Sequence, residues 1–230
     1  MTQKETRATV AELIGTFMLV LIGAGAVALS AGNVVAAALA HGLALVMIIA
    51  TYGHISGAYV NPAVTLGALV GGKLELRTAG FYWAAQLLGA ILAGIVLRII
   101  LPEVYTTTMG QTVPATNVTP GMLLVLEAIL AFFLTSTVFQ VAIYGRGGSL
   151  APLLIGFALA ACILLGGPLT GASVNPARTI GPAFLARETQ DLQEVIFYII
   201  ATLIGGLIAG FVHSDFFAPD DGGDRAKKRR

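Results

Sequence analysis

Two copies of the tripeptide Asn-Pro-Ala carry the strongest chemical signal in this sequence. They are Asn61-Pro62-Ala63 and Asn175-Pro176-Ala177, and they lie 114 residues apart in matching longer frames. Asn is a favoured N-cap, and Pro fits the first turn of a helix. A helix start carries free N–H groups and partial positive charge, and an Asn amide offers two donors of its own. Two such starts can hydrogen-bond a polar molecule such as water and repel a cation.

The helices that begin at these copies are too short to cross a membrane. Each copy is followed by only about a dozen mostly apolar residues, whereas a spanning helix needs about 20. We therefore predict two half-helices that begin inside the bilayer, at about 61–71 and 175–186.

The composition indicates a protein with several membrane spans. Of the 230 residues 57% are hydrophobic and 11% are charged, which excludes a soluble domain. Apolar stretches long enough to span are predicted at roughly 9–31, 34–53, 79–101, 120–144, 150–167 and 193–213. The fold class is therefore an all-α membrane protein with six transmembrane helices and two re-entrant half-helices.

Several function classes lack a signal in the sequence. The single cysteine, Cys162, excludes an internal disulfide framework. The basic residues lie at the ends and in loops, so the net charge of +1 does not indicate a nucleic-acid partner. There is no cluster with metal-ligand spacing and no catalytic triad, so we predict no metal, no cofactor and no enzymatic activity.

The repeat dictates an inverted topology. Glu12 and Glu127 stand 115 residues apart, close to the offset of the Asn-Pro-Ala copies, so one repeat contains three spans. Because three is odd, the second repeat must be inverted, and the two half-helices meet near the midplane. With both termini in the cytoplasm, ten Lys and Arg residues lie inside and three do not, which favours this orientation.

We predict one channel-like domain over residues 1–230. Its repeats cover about 8–101 and 120–214, joined by an irregular link at 102–119 that is rich in Thr and Pro. The polar tail, 215–230, is predicted to be disordered.

Motifs outside the two copies extend the pattern into a family resemblance. The paired frames, the run Ala11-Glu12-Leu13-Ile14-Gly15-Thr16-Phe17 and the run Gly53-His54-Ile55-Ser56-Gly57 resemble the aquaporin family, also called major intrinsic proteins. The resemblance covers essentially the whole chain. It implies a passive channel for water and other small neutral solutes that excludes protons and ions. It also implies a homotetramer in a lipid bilayer, and we expect the plasma membrane.

The resemblance also assigns a narrow filter. Arg178, a costly charge in an apolar stretch, is a functional candidate on physical grounds, with pairing to a buried carboxylate as the alternative. Similarity adds His41, Ile163 and Ala172, a set that resembles tonoplast intrinsic proteins. For these three, ordinary roles in helix packing remain open.

Two further sets of residues have more than one possible role. By resemblance, Glu12 and Glu127 accept hydrogen bonds from the re-entrant loops, which we favour; in a transporter they would carry protons. His54 is expected to border the cytoplasmic mouth, in a structural or a gating role.

The solute is predicted from positions near the second copy. Thr179, Ala183 and Tyr198 resemble water channels, whereas Ile199 departs from their pattern. We expect water and ammonia to pass and glycerol to pass poorly. A glycerol or small-polyol facilitator is the alternative, and a secondary transporter is the alternative from another class.

Overall fold

The structure is a computed structural model, and it describes residues 1–219. Within these residues the chain is helical and contains no strand. Eight α-helices follow one another: α1 Gln3–Leu29, α2 Val34–Ser56, α3 Pro62–Val70, α4 Leu76–Ile100, α5 Pro120–Val138, α6 Ala151–Thr170, α7 Pro176–Ala183 and α8 Leu192–Asp215. A π-helical turn, Phe139–Ile143, extends α5, and short 3-10 turns lie at Glu103–Tyr105 and Gly148–Leu150.

Six helices are long and apolar enough to cross a membrane, in agreement with the predicted spans. The first begins six residues earlier than predicted, at Gln3, because Thr2 caps it. The Thr2 hydroxyl accepts from the N–H of Glu5, and the Glu5 carboxylate accepts from the N–H of Thr2. The fifth span runs to Thr170 rather than 167 and ends at Gly171, whose φ of 76° is left-handed.

The two half-helices are α3 and α7. Each begins at the Pro of its Asn-Pro-Ala copy. The first ends at Val70, close to the prediction, and the second ends at Ala183, three residues earlier than predicted. A second proline, Pro182, lies in its last turn.

Helix packing follows the repeat. In the first half α1 packs against α2 and α4, and in the second half α5 packs against α6 and α8 in the same way. The halves meet where α2 packs against α6. At this crossing a Cβ atom on Gly42 would lie 2.7 Å from the carbonyl oxygen of Gly156, and a Cβ on Gly156 would lie 2.6 Å from that of Gly42. Only glycine allows the two backbones to come this close.

The half-helices are exchanged between the halves. The main neighbour of α3 is α8, and α7 packs more closely with α4 than with any other helix. This exchange brings the starts of α3 and α7 together inside the helix bundle and explains why two distant segments form one site.

The link at 102–119 is more ordered than the sequence suggests. Met109 and Thr112 are fully buried, and Met109 packs in an apolar cluster with residues of α1, α4 and α7. The carbonyl oxygens of Thr106 and Thr107 accept from the N–H groups of Arg187 and Glu188, just after α7. Of the predicted tail, residues 220–230 lie outside the described residues.

Candidate functional site

The site is built around the two Asn caps. Asn61 Oδ1 accepts from the N–H of Ala63 at 2.9 Å, and Asn175 Oδ1 accepts from that of Ala177 at 2.9 Å. The side chains are therefore ordinary N-caps as well as site residues. Asn61 and Asn175 are almost fully buried, and both line a cavity in the middle of the bundle.

The caps also tie the two half-helices together. Asn61 Nδ2 donates to the carbonyl oxygen of Val174, and Asn175 Nδ2 donates to that of Val60, each at 2.9 Å. One N–H of each amide is thus used in these two hydrogen bonds. The other N–H is the donor that each Asn can offer to a molecule in the cavity, one from each side.

The loops before the caps, residues 57–61 and 171–175, have the same unusual backbone. Ala58 and Val60 have φ of 48° and 43°, and Ala172 and Val174 have φ of 46° and 57°. Left-handed conformations of residues other than glycine cost of order 1–3 kcal/mol each, so other interactions must hold these loops.

Glu12 supplies those interactions for the first loop. It is fully buried and accepts from the N–H groups of Tyr59 at 2.9 Å and Val60 at 2.7 Å. Its carboxylate also accepts from Ser56 Oγ at 2.7 Å and from Gln86 Nε2 at 2.8 Å. All four partners are donors, the arrangement that suits a carboxylate.

Glu127 does the same for the second loop with one partner fewer. It is fully buried and accepts from the N–H groups of Ser173 at 2.9 Å and Val174 at 2.8 Å. Thr170 Oγ1 donates to it at 2.7 Å. No glutamine takes the place of Gln86 here; the corresponding region of α8 carries Thr202, whose hydroxyl bonds to its own helix.

Sequence reasoning missed two tyrosines that support the loops. Tyr82 donates through its hydroxyl to the carbonyl oxygen of Ser56 at 2.9 Å, and Tyr198 donates to that of Thr170. The signal was present in the sequence, since these tyrosines stand 116 residues apart, close to the repeat offset.

The middle cavity belongs to a path through the bundle. This central cavity is shared by both Asn caps, Arg178 and His41. His41 also lines a second cavity, with Val34 and Ile163, which we call the Ile163 cavity. At the opposite end the central cavity shares Ile49, Tyr59 and Val138 with a wider one, the His54 cavity. The three follow one another past the Asn caps from one side of the bundle to the other.

The loop backbone contributes acceptors to this path. Gly57, Ala58 and Tyr59 line the central cavity, and their carbonyl oxygens accept no hydrogen bond from any other part of the chain that the structure describes. Their N–H groups already have partners: Tyr59 donates to Glu12, Ala58 to Ser56 Oγ, and Gly57 to the carbonyl oxygen of Gly53. The path therefore offers carbonyl acceptors beside the amide donors of the caps.

Arg178 lines the central cavity immediately after the second cap. Its side chain is 2% exposed, and neither Nε nor Nη1 has a hydrogen-bond partner within residues 1–219. Its charge lies near enough to interact with Glu127 electrostatically, but no ion pair joins them. The guanidinium thus keeps donors that no protein acceptor occupies.

The other predicted filter residues are not all placed alike. Ile163 and His41 share the Ile163 cavity. Ala172 lines neither that cavity nor the central one, and its Cβ packs close to Gly166 of α6. The structure therefore brings together His41, Ile163 and Arg178 and leaves Ala172 in a packing position.

His41 is held by a hydrogen bond to its own helix. Its Nδ1 lies 2.9 Å from the carbonyl oxygen of Ala37 and must donate to it. Its Nε2 is buried and has no hydrogen-bond partner in the described chain. Nε2 thus remains an acceptor that no protein donor within residues 1–219 occupies.

His54 lies at the far end of the path. It is exposed and lines the His54 cavity with Lys73 and Ser149. It also borders a smaller cavity with Lys4 and Arg7, near the start of α1. In the predicted orientation Lys4, Arg7 and Lys73 lie on the cytoplasmic side.

Comparison with known proteins places the chain in a family. The profile of the major intrinsic protein family matches residues 1–213. The chain belongs to the major intrinsic protein family. Membership of this family points to a channel rather than an enzyme.

Two relatives named as TIP-type aquaporins are similar to nearly the whole chain. A probable aquaporin of the TIP type, RB7-5A from Nicotiana tabacum, is 40% identical over 228 residues, covering 92% of this chain and 87% of the relative. Aquaporin TIP2-3 from Arabidopsis thaliana is 37% identical with the same coverage. These similarities confirm the resemblance to tonoplast intrinsic proteins and give no support to the expected plasma-membrane location.

A solved structure supports the fold. The aquaglyceroporin from Plasmodium falciparum superposes with a TM-score of 0.82 over 94% of this chain and 98% of its own, at 24% sequence identity. At this identity the likeness concerns the fold alone. It confirms the predicted architecture of six spans and two half-helices.

Proposed function

We propose that the protein is a passive transmembrane channel for water that also passes ammonia and excludes protons and ions. The observation that carries this proposal is the meeting of two Asn-capped half-helices at one cavity, with further cavities on both sides. The TIP-type aquaporins among its relatives point to the same class of solute.

Water fits the chemistry of the path. A molecule between the caps can accept one hydrogen bond from each Asn amide and then has only its own hydrogens to donate, to the carbonyl oxygens of the loop. Such a molecule cannot pass a proton along a continuous chain of hydrogen bonds. The two helix starts and Arg178 place positive charge at the same depth, which opposes cations.

The passage of ammonia is inferred from the residues that line the path beside Arg178. Ile163 is apolar, and Nδ1 of His41 is taken up by the carbonyl oxygen of Ala37. A neutral molecule of about the size of water can pass this less polar section, whereas ammonium meets the charge of Arg178. Glycerol is larger and is expected to pass poorly, so the glycerol facilitator remains the second candidate.

The arrangement favours a channel over a secondary transporter. A proton-coupled transporter needs a carboxylate that exchanges protons with the path. Glu12 and Glu127 are instead fully occupied by the donors of the loops. Neither of them lines the central cavity.

The decisive measurement uses purified protein in liposomes. Osmotic shrinkage should be faster than in empty liposomes, with a low activation energy, and an imposed pH gradient should decay no faster. An ammonium gradient should alkalinise the interior quickly, and glycerol uptake should be slow. Water flux equal to that of empty liposomes would overturn the proposal, and fast glycerol uptake would favour the second candidate.

We further propose that four copies assemble, that both termini face the cytoplasm and that residues 1–230 form one channel domain. The outer faces of the spans carry many exposed apolar side chains, as expected for contact with lipid and with other copies. Mass measurement of the protein in detergent would give the number of copies. Protease cleavage of the termini in oriented vesicles would test their side.

A further inference from the structure

The ring of His41 lies directly against the backbone of Gly23, on the neighbouring helix α1. A Cβ atom added to Gly23 would lie 2.4 Å from both Cδ2 and Nε2 of the ring and 2.8 Å from Cε1. Ordinary contacts of a Cβ atom begin at 3.4 Å. A side chain at residue 23 and the present position of the ring therefore exclude one another.

The ring is held in this position from one side only. Its Nδ1 is bonded to the carbonyl oxygen of Ala37, one turn earlier on α2, at 2.9 Å. Because a carbonyl can only accept, Nδ1 carries a proton, and in the neutral ring Nε2 is a bare acceptor. Nε2 has no partner in the described residues because it faces a residue without a side chain.

The path runs past this ring. His41 is the residue shared by the central cavity and the Ile163 cavity, so it stands where the two join. Arg178 lines the first of these cavities and Ile163 lines the second. A ring displaced from Gly23 would move away from α1 at the point where the two cavities join.

We propose that Gly23 is a specificity-determining residue of the channel. By leaving room beside α1 for the His41 ring, it sets the width of the path at Arg178 and Ile163. This inference rests on the proposed channel function. An alanine at residue 23 would push the ring by about 1 Å, because the distance from its Cβ to the ring must grow from 2.4 Å to 3.4 Å. This shift is comparable with the radius of a water molecule, which is about 1.4 Å.

Four proteins in liposomes test the proposal: the wild type, Gly23→Ala, His41→Ala and the double variant. Permeability is measured for water, ammonia and the larger neutral methylamine. Gly23→Ala should lower ammonia and methylamine flux by about tenfold, as expected from overpacking at a tight contact. Water flux should fall less, so the ammonia-to-water ratio falls too. The double variant should behave like His41→Ala, because the clashing ring is gone.

Gly25→Ala is the matched control on the same helix. There the added Cβ would meet only Cδ2 of Leu97, at 3.1 Å, the end of a flexible side chain. Its ammonia-to-water ratio should equal that of the wild type. If Gly23→Ala does not fold, the melting temperatures in detergent give the answer, since removal of the His41 ring should restore folding in the double variant.

Each result decides for or against the role of Gly23. An unchanged ammonia-to-water ratio in Gly23→Ala would overturn it. It would also be overturned if adding Gly23→Ala to His41→Ala lowered the flux as much as Gly23→Ala does in the wild type. A misfolded single variant that is not rescued by His41→Ala would do the same. A wild type that conducts no water would instead overturn the channel function itself, and this inference with it.

Discussion

The substitution Glu127→Gln tests whether a buried carboxylate holds the second re-entrant loop. It keeps the size of the side chain and replaces one oxygen by an amide NH₂. Both oxygens of Glu127 are in use, one by Thr170 Oγ1 and Ser173 N–H and the other by Val174 N–H at 2.8 Å. In either orientation the new NH₂ must face a donor.

The smaller loss occurs when the NH₂ faces Val174. One bond to a charged acceptor disappears, and one buried backbone N–H remains without a partner. Together these cost about 2.5–6 kcal/mol, because a bond to a charged group contributes about 1.5–3 kcal/mol and an unpaired buried donor costs about 1–3 kcal/mol. The equilibrium constant for the present loop conformation should fall by roughly 60-fold or more, since each 1.4 kcal/mol is a factor of ten.

Loss of the hydrogen bond between Val174 and Glu127 affects the path through the backbone of the loop. The carbonyl oxygen of Val174 accepts from Asn61 Nδ2, and Val174 holds a left-handed φ of 57° that is costly without support. We therefore expect water permeability per protein to fall by at least about tenfold in Glu127→Gln, because the loop conformation is weakened by more than about 1.4 kcal/mol, a factor of ten. Stopped-flow light scattering of liposomes with matched protein content measures this.

The control and the companion variant sharpen the test. Glu75→Gln changes an exposed glutamate at the start of α4 that makes no capping bond, and it should leave water flux unchanged. Glu12→Gln should be more harmful than Glu127→Gln, because Glu12 holds four donors and Glu127 holds three. Normal water flux in a folded Glu127→Gln protein would refute the reasoning.

Three further substitutions or treatments have expected outcomes. Arg178→Val should keep water flux but admit small cations or bulkier neutral solutes, since it removes the fixed charge beside the second cap. Conductance and urea uptake measure this. If neither changes, Arg178 is not part of the filter. Mercury should inhibit water flux only weakly, because Cys162 is buried in the apolar core and directs Sγ to the carbonyl oxygen of Leu130 at 3.6 Å. Strong inhibition that is lost in Cys162→Ser would contradict this. Ile163→His should slow ammonia more than water by adding a polar group to the wall, and equal ammonia rates in wild type and variant would show that Ile163 does not set this selectivity.

Much of the fold follows from local features of the sequence. The length of an apolar stretch decides whether it can span, so the six spans were predicted within a few residues of their ends. The starts of α3 and α7 follow from Asn-Pro, because a cap and a first-turn proline act within one turn of helix. The inversion of the second repeat follows from counting three spans between equivalent residues.

The site residues were predictable only as far as the repeat or the family resemblance marks them. Glu12 and Glu127 stand out because buried carboxylates in spans are rare and because their spacing matches that of the caps. Gln86, which donates to Glu12 and to Thr65, has no counterpart on Glu127 and so carries no repeat signal.

The tertiary structure alone decided the contacts between residues far apart in the chain. Nothing in a single sequence relates Gly23 to His41, the amide of Asn61 to the carbonyl oxygen of Val174, or Met109 to the apolar cluster beside α7. Helix formation and membrane insertion depend on neighbours within a few residues, and the printed sequence contains those neighbours. Which side chains meet across the bundle depends on how the helices pack, and that packing exists only in the folded chain.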